Sequence, residues 1–224
     1  MMSEKTSASL TGFFSKNRFI FLLAAILGLI IGKPLLAGFF KYRFIPDALL
    51  TIIFVAAIHA ISQKRKHIFI ALGLVLPMFA ATWSYYWLKS LEVVIIGQIF
   101  GVLFVGFAIR CLIRFIFNEK EVTKEVIYAA VVVYLLMAIT WAFAYMILEF
   151  FYRGSFSYPA GQTPDYFHFL YFSCVTITTL GYGDVLPLSQ EAGSLAILEA
   201  VTGQIYLVVV VAWLVGMHVS RRSR

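Results

Sequence analysis

Thr176-Ile177-Thr178-Thr179-Leu180-Gly181-Tyr182-Gly183-Asp184 is polar and punctuated by glycine, yet apolar sequence lies on both sides of it. Glycine reaches backbone angles that other residues avoid, so alternating glycine with other residues lets successive carbonyls turn to one side. An unpaired carbonyl at membrane depth costs several kcal/mol unless it lines a wet cavity or meets a cation. A row of such oxygens offers ligands that replace the hydration shell of a passing cation.

Working outward, Tyr166 to Val175 is apolar but only ten residues long. That is too short to cross a bilayer, so it reads as a buried or re-entrant helix. Before it comes Phe156-Ser-Tyr-Pro-Ala-Gly-Gln-Thr-Pro164, a turn-rich run. Long apolar stretches flank the whole region, from Val126 to about Phe151 and from about Ala192 to Val219.

The rest of the chain has the same character. Of its 224 residues, 62% are hydrophobic and 13% charged, against roughly 45–50% and about 25% in soluble domains. So little polar surface excludes a soluble enzyme, a disordered tail and a secreted disulfide scaffold. Cys111 and Cys174 lie inside apolar stretches and imply neither a disulfide framework nor a zinc site. The net charge of +7 fits basic residues at the cytosolic ends of membrane segments rather than a nucleic-acid partner.

The fold class this implies is an all-α membrane protein with six transmembrane helices. Four further spans precede Val126: from Phe19, interrupted at Lys33-Pro34; Asp47 to Ser62; Ile68 to Leu88; and Leu91 to Phe117. With both termini cytosolic, 13 lysines and arginines fall inside and 5 outside, as the positive-inside rule asks. Trp83, Tyr85, Tyr86 and Trp87 then form an outer aromatic belt. A cleaved signal peptide is the alternative for the first span, but no small-x-small site follows it. The expected organisation is a cytosolic segment 1–18, a four-helix membrane unit 19–117, a cytosolic linker 118–125, a pore unit 126–219 and a cytosolic tail 220–224. The expected location is the cell membrane, in contact with lipid.

Thr179-Leu-Gly-Tyr-Gly183 resembles the potassium-channel selectivity filter, with Leu180 where valine is usual. The likeness extends upstream, where Asp165 to Thr176 is similar to the family's pore helix. It extends downstream, where Asp184-Val-Leu-Pro187 resembles the filter exit and Gly203 to Gly216 resembles the inner helix of prokaryotic-type channels. A lone Gly-Tyr-Gly would read as a tight turn; two threonines before it, an aspartate after it and a span on each side argue otherwise.

The resemblance implies that the carbonyls of Thr179, Leu180, Gly181 and Tyr182, with Gly183 and the Thr179 hydroxyl, coordinate dehydrated potassium. It implies that Thr178 faces a water-filled cavity and that the Tyr182 ring braces the filter. Asp184 would pair with Tyr171, where many relatives carry tryptophan. Gly203 would be an inner-helix hinge or a packing glycine, with Leu207 and Val211 lining the cavity below. One chain supplies one strand, whereas a dehydrated ion needs oxygens from all sides, so a homotetramer is implied. Potassium is the permeating ion, and no organic cofactor is implied.

The leading four helices lack the marks of a voltage sensor. Val93 to Ile109 carries no charge, and Arg110 and Arg114 follow only after roughly 28 Å of helix from Leu91. Charge outside the field does no electrical work. His59, His168 and His218 are weak candidates for proton sensing. Glu149 either ties down the loop after the fifth span or faces water. After Val219 only Ser-Arg-Arg-Ser-Arg remains, and no regulatory cytosolic domain is expected. The rival functions are a weakly selective cation channel and a non-conducting subunit that assembles with another channel. An enzyme is disfavoured, since no nucleophile, base or metal-ligand cluster converges.

Overall fold

The computed structural model describes residues 17–36, 45–61, 65–158 and 165–222. Among these residues lie seven helices: α1 (Arg18–Leu36), α2 (Ile45–Ile61), α3 (Arg65–Leu88), α4 (Leu91–Asn118), α5 (Lys124–Phe151), α6 (Tyr166–Ile177) and α7 (Gln190–Arg222). The N-terminal segment 1–16, the stretch 37–44 and the turn-rich residues 159–164 lie outside the described residues, as do 62–64 and 223–224.

α3, α4, α5 and α7 are long and apolar enough to cross a membrane. The apolar stretches in α1 (Arg18–Gly32), α2 (Ala48–Ile61) and α6 (Tyr166–Ile177) are shorter. The backbone of α1 continues through Lys33 and Pro34 to Leu36. With its apolar helices, the chain is a membrane protein.

Helix ends follow local chemistry. α4 stops where Glu119 turns extended, and α5 starts after Thr123, whose hydroxyl accepts the Val126 amide at 3.4 Å. The link between these two long helices is therefore only a few residues. Ser189 caps α7 by accepting the Ala192 amide at 3.1 Å. Each cap gives a partner to a first-turn amide that has none within its own helix.

α5 is the central helix. α1, α4, α6 and α7 all pack against it, and α7 packs on α6 as well. Val126, Ala129, Val132, Val133, Leu136 and Ile139 are buried along it. In the leading helices, Phe54 meets Phe104 edge-on at 5.2 Å and Phe19 lies 4.9 Å from Phe115. α3 and α4 cross closely, and a Cβ at Gly97 would stand 2.8 Å from that of Ala81. Small residues allow that approach, as they do between helices in lipid. Phe117, near the end of α4, lies 5.1 Å from Trp213 of α7.

The chain leaving α5 pairs with the chain leaving the glycine-rich segment. Phe156 bridges Pro187 in antiparallel fashion, with Ser157 N donating to Leu186 O at 2.8 Å and Leu188 N to Ser155 O at 2.7 Å. Phe156 is buried against Tyr145, Phe169 and Phe172. This clamp holds both ends of the α5–α7 connection to one aromatic cluster, so the segment between α6 and α7 is a short tethered arc.

Candidate functional site

α6 begins at Asp165, whose carboxylate accepts the Phe167 and His168 amides at 3.0 and 3.1 Å. His168 Nδ1 reaches back to the Asp165 backbone amide, completing a capping box. The helix therefore starts at a fixed residue, and twelve residues later it ends under the 178–184 segment. Its last carbonyls are taken up by that segment. Cys174 O accepts Thr178 N at 3.3 Å, Thr176 O accepts Thr179 N at 2.9 Å, and Val175 O accepts Leu180 N at 2.9 Å and Gly181 N at 3.4 Å. Tyr134 of α5 donates its hydroxyl to Ile177 O at 2.8 Å.

With the amides of Thr178 to Gly181 turned back to the helix, the segment's carbonyls are left over. None from Thr179 to Gly183 accepts a hydrogen bond among the described residues. The backbone there alternates in handedness. Thr179, Gly181 and Gly183 have φ of 59°, 61° and 77°, while the residues between them do not enter the left-handed region. Alternating handedness is the pattern that can turn successive peptide planes alike, with their oxygens toward one side. Gly181 and Gly183 adopt this at little cost. Thr179 is β-branched, and left-handed geometry costs an L-residue about 1–2 kcal/mol. The amide bonds of Thr179 and Leu180 to α6 hold it there.

The surrounding residues fall as follows. Thr178 is exposed, and its hydroxyl hydrogen goes to Cys174 O at 2.6 Å, so the oxygen keeps lone pairs for a further partner. Tyr171 donates to Asp184 Oδ2 at 2.7 Å, and this bond pushes its phenol up to about 12. Leu180 and Tyr182 are 55% and 67% exposed, so a single chain leaves the arc largely uncovered. Glu149 accepts the Gly154 and Ser155 amides at 2.9 and 3.0 Å, which ties down the loop after α5. Burial, then the charge of Glu149, raises the phenol of Tyr158 in the same loop.

On α7, Gly203 is buried against the end of α6: a Cβ there would lie 2.5 Å from Ile177 Cγ1 and 3.2 Å from Ile177 O. Of the other buried residues on this helix, Glu199 stands four positions before it and Val210 seven after. Leu207 and Val211 are exposed in the single chain. His59 and His218 are exposed as well.

Residues 123–219 match the family described as ion channel. The match spans less than half of the chain and runs from the cap of α5 to the last turns of α7. The match supports passive ion conduction. No curated protein and no solved structure matches the chain.

Two features of the ion channel domain were not read from sequence. The left-handed Thr179 carries no local signal, because threonine is a poor residue for that geometry. Glu199 did carry one: it is the sole acid between Ala192 and Val219, and an ionisable residue inside a span marks a functional candidate.

Proposed function

We propose that the chain forms a homotetrameric, potassium-selective channel of six membrane spans, with α6 and the 178–184 arc re-entering between the fifth and sixth. The single observation behind this reading is the row of unbonded carbonyls from Thr179 to Tyr182 on a backbone of alternating handedness. Each copy contributes one oxygen per level, and four copies around an axis complete the cage that replaces water. The exposure of Leu180 and Tyr182 in one chain accords with surfaces covered by neighbouring copies. Thr178 would then look into the cavity beneath, toward which α6 aims the negative end of its dipole. Leu207 and Val211 would line that cavity. Residues 126–219 form the pore unit and 19–117 a peripheral unit lying in lipid, with both termini cytosolic.

Purified protein in liposomes tests the reading. Under matched gradients, potassium flux should exceed sodium flux severalfold and should require the tetramer. Equal fluxes would favour the weakly selective cation channel; no flux of either ion would favour the non-conducting subunit.

Conductance in the same membranes should depend only weakly on voltage. Steep gating takes about 3–4 charges per subunit moving through the field, each worth about 2.3 kcal/mol per 100 mV. Val93 to Ile109 on α4 supplies none, and Arg110 and Arg114 stand exposed near its end. A conductance–voltage curve as steep as that of a four-arginine sensor would refute this.

A further inference from the structure

Glu199 lies in the first half of α7 and is 0% exposed. Three helices meet at its carboxyl group. Tyr145 of α5 donates its hydroxyl to Oε2, and Ser173 of α6 meets Oε1. Ser173 Oγ also stands 2.8 Å from the carbonyl oxygen of Ala138 on α5. The other titratable groups whose fields reach the carboxyl are Tyr134 on α5 and Cys174 on α6. Neither is a cation, and among the described residues no ion pair reaches Glu199.

Counting hydrogens across these contacts assigns the charge. A serine hydroxyl has one hydrogen, and a carbonyl oxygen only accepts. If Ser173 gives its hydrogen to Ala138 O, its contact with Glu199 has none unless the carboxyl supplies it. Tyr145 provides the hydrogen for Oε2. Three contacts then take three hydrogens, one each from Tyr145, Glu199 and Ser173, and no donor is used twice. A carboxylate in the same place would be a buried charge without a countercharge, among the costliest arrangements in a protein interior.

We propose that Glu199 carries a proton and acts as a positioning residue, latching α7 to the back of the helix that bears the carbonyl arc. A second contact lies one turn along. Gly203 abuts Ile177 just as Glu199 meets Ser173, with the same four-residue step on both helices. The two contacts are successive rungs between α7 and α6. Ser173 immediately precedes Cys174 and Val175, whose carbonyls hold the amides of Thr178, Leu180 and Gly181. A shift of α7 at Glu199 therefore reaches the arc through two residues of helix.

The flux arm of the test rests on the conduction reading above; the spectroscopic arm does not. Infrared difference spectra compare the full chain in lipid at neutral pH with Glu199→Gln. The expected result is loss of a carboxylic C=O band in the variant; loss of a carboxylate band would overturn the proposal. In liposomes, Glu199→Gln should keep potassium flux and selectivity within about twofold, because glutamine also donates to Ser173 and accepts from Tyr145. Glu199→Leu, similar in size but without polar atoms, strands both partners and should lower flux at least about tenfold. Parental flux in the leucine variant, or equal loss in both variants, would overturn the latch. Should Glu199→Leu fail to fold, the glutamine variant and the spectra decide. A parent without flux counts against the conduction reading alone, since the spectra still report the proton.

Discussion

Gly181→Ala is expected to abolish potassium-over-sodium preference in liposome flux. The residue sits at φ 61°, and a Cβ built there would meet nothing within 4 Å. Crowding within the chain is therefore not the cause of the loss. The cost is torsional, about 1–2 kcal/mol for an L-residue held left-handed, and in the proposed tetramer it would recur four times, about 4–8 kcal/mol in all. The segment relieves that cost by rotating the 181 peptide, which turns a carbonyl out of the row. Little opposes the rotation, since the Gly181 amide is held only by a 3.4 Å contact to Val175 O. Gly106→Ala on α4 is the matched control: it too has open space around its Cβ, but within a helix and without positive φ. That variant should conduct like the parent. Persistence of the preference in Gly181→Ala would falsify the assignment of the arc as the selectivity element.

Gly203→Ala is the second large effect, and its cause is the opposite one. Here the new Cβ would stand 2.5 Å from Ile177 Cγ1 and 3.2 Å from Ile177 O. Cγ1 is close to the backbone and has little room to swing away, so α7 must lift or the end of α6 must move. The Ile177 carbonyl is also the acceptor for Tyr134, so that bond is strained with it. Overpacking of this kind costs typically about 1–3 kcal/mol at each site. Thermal unfolding of the purified assembly should fall accordingly, and flux should drop. Ile177→Ala removes the crowded Cγ1 but opens a cavity of its own at a buried site, so the comparison is the cost of Gly203→Ala in each background, which should be much smaller with alanine at 177. This pair separates packing from hinge bending. A hinge glycine replaced by alanine would alter opening whatever stands at 177, so Gly203→Ala costing as much beside Ile177→Ala as in the parent would rule out the packing account.

Elements whose cause is local were legible in the sequence. Asp165 starts α6 because a carboxylate caps the amides two and three residues on, and the pattern of Thr179, Gly181, Tyr182 and Gly183 announces unusual backbone between two spans. The pairing of Tyr171 with Asp184 was anticipated from the resemblance and is present at 2.7 Å. Contacts made across the fold were not legible. Ile177 and Gly203 are far apart in the chain, so nothing in the α7 sequence distinguishes a glycine pressed on α6 from a free one. The clamp of Phe156 on Pro187 likewise depends on how the two ends of the connection meet. For α1 and α2, composition announces apolar helices but not whether each crosses the bilayer, because their apolar runs are short among the described residues.

The ring of Phe117 against Trp213 has a mechanical meaning. To the packing of α1 and α4 on α5 it adds a direct contact between the leading helices and α7, far along that helix from Gly203. These helices cannot swing as a loose appendage about the covalent link at 119–123. A tilt of the leading helices would therefore press on α7 at Trp213, beyond the stretch that Glu199 and Gly203 hold against α6.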